Sequence, residues 1–116
     1  MVERRNLQLV SWDLDDGEEL HREAPATFWM PAEQRRQSLV KGDLVKLIFQ
    51  MTVRDRATGK ETLEAERMWV IVEGRDGDRY HGILDNDPYC TRDLVSGAAV
   101  MFEPRHVIQI YDDRRS

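Results

Sequence analysis

The sequence predicts a mainly β fold with a short N-terminal helix, and three observations carry that reading. Val45, Leu47, Phe49, Met51 and Val53 alternate with Lys46, Gln50 and Thr52, the period of two of a half-buried strand. The run Met68-Trp69-Val70-Ile71-Val72 concentrates the aromatic and β-branched residues that suit a pleated surface. Asp76-Gly77 is the strongest hairpin signal, because both central residues of a type I′ turn need φ > 0. With 116 residues, 41% of them hydrophobic and 34% charged, the chain has room for one domain and is too apolar to be disordered.

Taken in order, residues 1–24 read as an acidic lead-in. Residues 6–12 suit an edge strand. After them Asp13, Asp15, Asp16, Glu18, Glu19 and Glu23 face only Arg22 as a fixed positive charge, with a short helix near 18–23. Pro31 fits the first turn of a helix, where its missing N–H costs nothing, and 32–39 reads as two helical turns. Phe28, Trp29 and Leu39 are its expected anchors, and Gly42 stops it. Strands are then predicted over 44–53, 63–73, 79–85, 98–103 and 107–111. Gly82 marks a bend or close contact, 92–94 a helical turn, and Pro104-Arg105-His106 a tight turn. The single domain spans 25–111, and 112–116 is a tail. Five short strands with a one-turn link between the last two specify a small SH3-like barrel, or a half-open β roll with the helix closing one end.

Composition excludes several kinds of function. A formal charge of −5 argues against broad nonspecific binding to nucleic acid or anionic lipid. Cys90 is the single cysteine, so neither an internal disulfide nor a thiolate-rich zinc site can form. The N-terminus lacks the apolar region of a signal peptide. The apolar run at 68–72 is far short of the roughly 20 residues of a membrane helix. A soluble, cytoplasmic protein is expected.

In order along the chain stand Gly42-Asp43-Leu44-Val45-Lys46-Leu47, Glu66-Arg67-Met68-Trp69-Val70, Gly82-Ile83-Leu84-Asp85-Asn86-Asp87-Pro88, then Gly97, Phe102 and His106-Val107-Ile108. Over residues 28–110 this resembles an uncharacterised family of small bacterial proteins, a domain of unknown function with a GDxVKL … MWV … GxLxNxP core. The resemblance implies a small, mostly β bacterial domain and supplies no catalytic residue. Residues 1–27 fall outside it.

Chemistry finds little footing. Cys90 with His81 or His106 is the pair to weigh as nucleophile and base, but no signature surrounds it, and an inert, packed thiol is the expectation. Asp85, Asn86, Asp87 and Asp93 miss calcium-loop spacing, since the fifth and sixth positions from Asp85 are Tyr89 and Cys90. His21, His81 and His106 are too scattered for zinc, and no phosphate-cradling glycine spacing occurs. No metal, no cofactor and no catalytic residue is expected.

The aromatic residues remain. Either Trp69 packs under the N-terminal helix with Phe28 and Trp29, or it lies in a surface groove. The candidate binding residues for a groove are Arg67, Trp69, Tyr80, Asn86, Asp87 and Tyr89. The leading expectation is a non-catalytic binding module for a protein or peptide, a basic one if the groove is acidic. One version is a neutralising partner for a basic toxin. The alternative is a nucleic-acid-binding barrel that uses Arg54, Arg56, Lys60, Arg75 and Arg79 with Tyr80, on two loops converging at one end. A ligand-processing enzyme built on Cys90 or on Asp85 and Asp87 ranks third. Oligomeric state is left open.

Overall fold

The structure, a computed structural model, describes residues 4–112. Its elements are β1 (Gln8–Leu14), α1 (Gly17–Glu23), α2 (Glu33–Arg36), β2 (Leu44–Arg54), β3 (Glu61–Asp76), β4 (Arg79–Leu84), β5 (Ala99–Phe102), a 3-10 turn η1 (Pro104–His106) and β6 (Gln109–Ile110). The strands make one antiparallel sheet in the order β1-β2-β3-β4-β5, and β6 returns to pair with β2. β1 and β6 share one edge of β2, β1 along 49–54 and β6 along 45–46. The fold is mainly β, a sheet curled into a half-barrel.

The period of two decides which face is buried. Val45, Leu47, Phe49, Met51 and Val53 are fully buried, and they form one core with their partners Met68 and Val70 and with Val72, Tyr80, Leu84, Val100 and Phe102 of the following strands. Gly82 sits where a Cβ would come within 2.5 Å of the Ile71 carbonyl oxygen and 2.8 Å of Val70 Cγ1, so only glycine fits between β3 and its neighbour.

Four local expectations are corrected. The β3–β4 hairpin turns at Gly77-Asp78, between the paired Asp76 and Arg79. Gly77 has φ +59° and among the described residues no non-glycine residue has positive φ, the sign pattern of a Gly-first type II′ turn rather than type I′. The helix over 32–39 shrinks to the single turn α2, because the chain leaves it to bury Leu39, whose N–H donates to the Tyr80 hydroxyl. Trp29, an expected anchor, is 71% exposed. Residues 92–94 form bends rather than a helical turn, with Asp93 turned instead to Arg56 and the Leu9 N–H.

Residues before 24 take part in the same sheet and core. Leu7, Leu9, Trp12 and Leu14 pack against the core, and β1 belongs to the same sheet as β2. α1 is anchored by its Asp16 N-cap, which accepts from the Glu19 N–H, and Arg105 of η1 reaches Asp16 at 3.1 Å. The buried Arg36 ties these pieces together: it donates to Glu18 at 2.7 Å and to the carbonyls of Pro31 and Pro104. Of the predicted tail, 113–116 lie outside the described residues. Among the described residues no helix is long and apolar enough to cross a membrane.

Candidate protein-docking face

Antiparallel register puts paired residues on the same side of the sheet. Leu44 pairs with Ile71, Ile71 with Ile83, and Ile83 with Ala99. These residues alternate with the buried set, so they face outward, and they form an apolar row crossing β2, β3, β4 and β5. Ile83 is 36% exposed, Met101, which pairs with His81 one row along β5, 52%, and Tyr111, whose N–H donates to the Leu44 carbonyl, 50%.

The next row holds Lys46 and Trp69, paired across β2 and β3. Trp69 is half-buried; Tyr111 meets its ring edge-on at 6.0 Å between centroids, and the Lys46 ammonium lies 4.5 Å from its centroid. One step further, Arg67 lies over the Phe28 ring at 5.6 Å. A cleft of about 230 Å³ opens there, lined by Thr27, Phe28, Trp29, Arg67, Ile108 and Gln109. The aromatic packed on Trp69 is therefore Tyr111, while Phe28 lies on Arg67.

The structure brings Arg67 and Trp69 together on one strand face and sets Asn86 beside them, its Oδ1 accepting the Trp69 N–H at 2.6 Å. Asp87 caps the loop after it, accepting from the Ser96 N–H. Tyr89 lies 6.0 Å from the Arg5 guanidinium, with its own N–H on Glu66. Tyr80 does not belong to a groove. It is fully buried, stacked on Phe102, and its hydroxyl serves Leu39, Arg36 and Arg75. Lys46, Tyr111, Ile83 and Met101 are absent from the sequence-derived set. Alternation alone puts Lys46 outward, but only the pairing of β2 with β3 places it on Trp69.

The basic patch expected from converging loops is not assembled. The loop carrying Arg56 and Lys60 precedes β3 and the turn before Arg79 follows it, so the whole strand separates them. Arg54 is paired with Glu61, Arg56 with Asp93, and Arg75 is bound to Gln37 and Tyr80. Cys90 is fully buried against Met51, Sγ to Sδ 3.9 Å, with its N–H on Glu66. Burial, then the Glu66 carboxylate, pushes the thiol up to about 12, so it stays protonated near neutrality and lacks the thiolate that attacks.

No family model matches the chain, no curated protein matches it, and no solved structure matches it.

Proposed function

We propose that the chain is a non-catalytic binding module that docks a protein partner on the outer face of its sheet. The observation that carries this reading is the apolar row Leu44, Ile71, Ile83 and Ala99, flanked by Met101, Trp69 and Tyr111. Single exposed hydrophobes are ordinary, whereas a contiguous apolar stretch rimmed by polar groups marks an interaction surface. Trp, Tyr and Met are also residue types enriched at interface cores. Arg67 and Trp69 belong to this surface, with Asn86 holding the Trp69 backbone from the side. The resemblance over 28–110 supports a bacterial setting.

The test is affinity capture from nuclease-treated host lysate with the full chain and with its I83E/M101E variant. Ile83 and Met101 are 36% and 52% exposed, and a thermal melt of the variant checks that it folds. The reading expects a protein recovered by the wild type and lost by the variant. Equal recovery by both chains places binding elsewhere.

A further inference from the structure

The docking face carries two cations that no carboxylate among the described residues neutralises. The chain carries −5 overall, and Arg5, Arg35, Arg36, Arg54, Arg56 and Arg105 each hold a carboxylate partner. Lys46 and Arg67 do not. Each is stacked on an aromatic ring, and among the described residues neither has a carboxylate within ion-pair distance. The cleft beside Arg67 has no acid in its lining. The acid that the sheet sets next to Trp69 is Asp85, on the β4 side, with Lys46 on the β2 side.

From this we infer that the partner presents an acidic segment with an apolar anchor, an inference that rests on the protein-docking reading above. Its carboxylates meet Lys46 and Arg67, and its anchor enters the cleft floored by Phe28 and Ile108 and walled by Trp29. Both cations remain able to donate to an incoming carboxylate, because a planar guanidinium over a ring keeps N–H groups at its edge and a tetrahedral ammonium keeps N–H groups that point away from the ring. Asp85 is the acid beside this patch; negative charge farther away is screened beyond roughly 8 Å at physiological salt, so Lys46 and Arg67 set the local preference. Two cations on a face of an acidic chain are too few to hold a phosphodiester backbone, which favours a protein over a nucleic acid. A second copy is disfavoured as well, since a two-fold interface sets the same patch, with the same sign, against itself.

The three tryptophans of the chain supply the readout. Trp29 and Trp69 are on or beside the face; Trp12 packs on Phe49 on β2 and serves as the internal control. The ¹⁵N-labelled full chain is titrated separately with a short peptide of glutamate, leucine and phenylalanine, with the same peptide carrying lysine for glutamate, and with a thymidine oligonucleotide. Indole N–H signals are followed by NMR.

The expected result is a saturable movement of the Trp29 and Trp69 signals with the acidic peptide, Trp12 staying in place. K46E/R67E should weaken that binding about tenfold, the size expected when two exposed attractions become repulsions. K46Q/R67Q, with a smaller loss, serves if the reversal does not fold. If the basic peptide moves the same signals and the acidic one does not, the charge inference is overturned and the docking reading stands. If the oligonucleotide alone moves them, both fall. If none of the three moves them, or the neutralised variant binds as wild type, the acidic-partner inference is wrong.

Discussion

Tyr80 shows how one residue changes meaning between sequence and fold. Beside a hairpin and near arginines, it reads as a ligand-facing aromatic; in the structure its ring is core and its hydroxyl is a junction. That hydroxyl donates to the Arg36 carbonyl at 3.0 Å and accepts from the Leu39 N–H at 3.2 Å and from Arg75 at 3.0 Å, which is its full capacity. Tyr80→Phe keeps the ring and strands the buried Leu39 donor. The expected cost is about 1–3 kcal/mol, read as a lower urea midpoint at unchanged slope. A midpoint equal to wild type would show that the junction adds nothing. The residue before it in the sequence-derived groove, Trp69, was legible as facing opposite to Val70, but its neighbours Lys46 and Tyr111 were not, because both arrive from other strands.

At the scale of an element, η1 packs on α1 and α2 and holds a buried histidine whose titration bears on stability. His106 is buried, and its Nδ1 accepts the Glu103 N–H at 3.0 Å, so a neutral ring carries its proton on Nε2. Burial, then the neighbouring Arg105, holds its pKa below the ordinary 6.5. The unfolded chain therefore binds the proton first, and stability falls as pH drops through about 6.5 and levels off below the folded value. Glu103 and Asp16 act in a different window. Arg105 pulls Glu103 down; for Asp16, burial pushes up, but the Glu19 N–H and Arg105 more than offset it. Their contribution is present above the usual carboxylate range and is lost only on further acidification, below about pH 4. Urea unfolding from pH 7.5 to 5 should thus show a decline that His106→Gln flattens. A variant with the wild-type slope over that range would assign the decline to other groups.

The element scale also shows where local rules reached. Strand identity over 44–53 followed from alternation, and Pro104-Arg105-His106 was legible as a tight turn, which the structure forms as the 3-10 turn η1. The length of α2 did not, because a buried contact between Leu39 and Tyr80 ended a helix that the sequence would have continued.

For the whole molecule, the acidic lead-in is structural. β1 covers the 49–54 half of the β2 edge, and Trp12 lies 5.2 Å from the Phe49 ring. Gly17 comes so close to Met30, Ile108 and the Arg105 carbonyl that a Cβ there would lie 2.9–3.1 Å from each. Deleting residues 1–24 should leave β2 with an unpaired apolar edge and remove the Glu18 partner of Arg36. We expect that shortened chain to aggregate or to bind a hydrophobic dye. A soluble, cooperatively unfolding 25–116 fragment would show that the half-barrel stands without its lead-in.

The sequence by itself determined the mainly β class and the inward and outward sides of β2 and β3. Each of these follows from chemistry within a few residues of chain. Only the tertiary structure decided that Tyr80 is core, that the arginine-bearing loops lie at opposite ends of β3, and that Leu44, Ile71, Ile83 and Ala99 align into one row with Lys46 and Arg67 at its side. Those facts depend on register between strands far apart in sequence, and register is chosen by the packing of the whole core at once, where a slip of one residue turns every side chain to the other face.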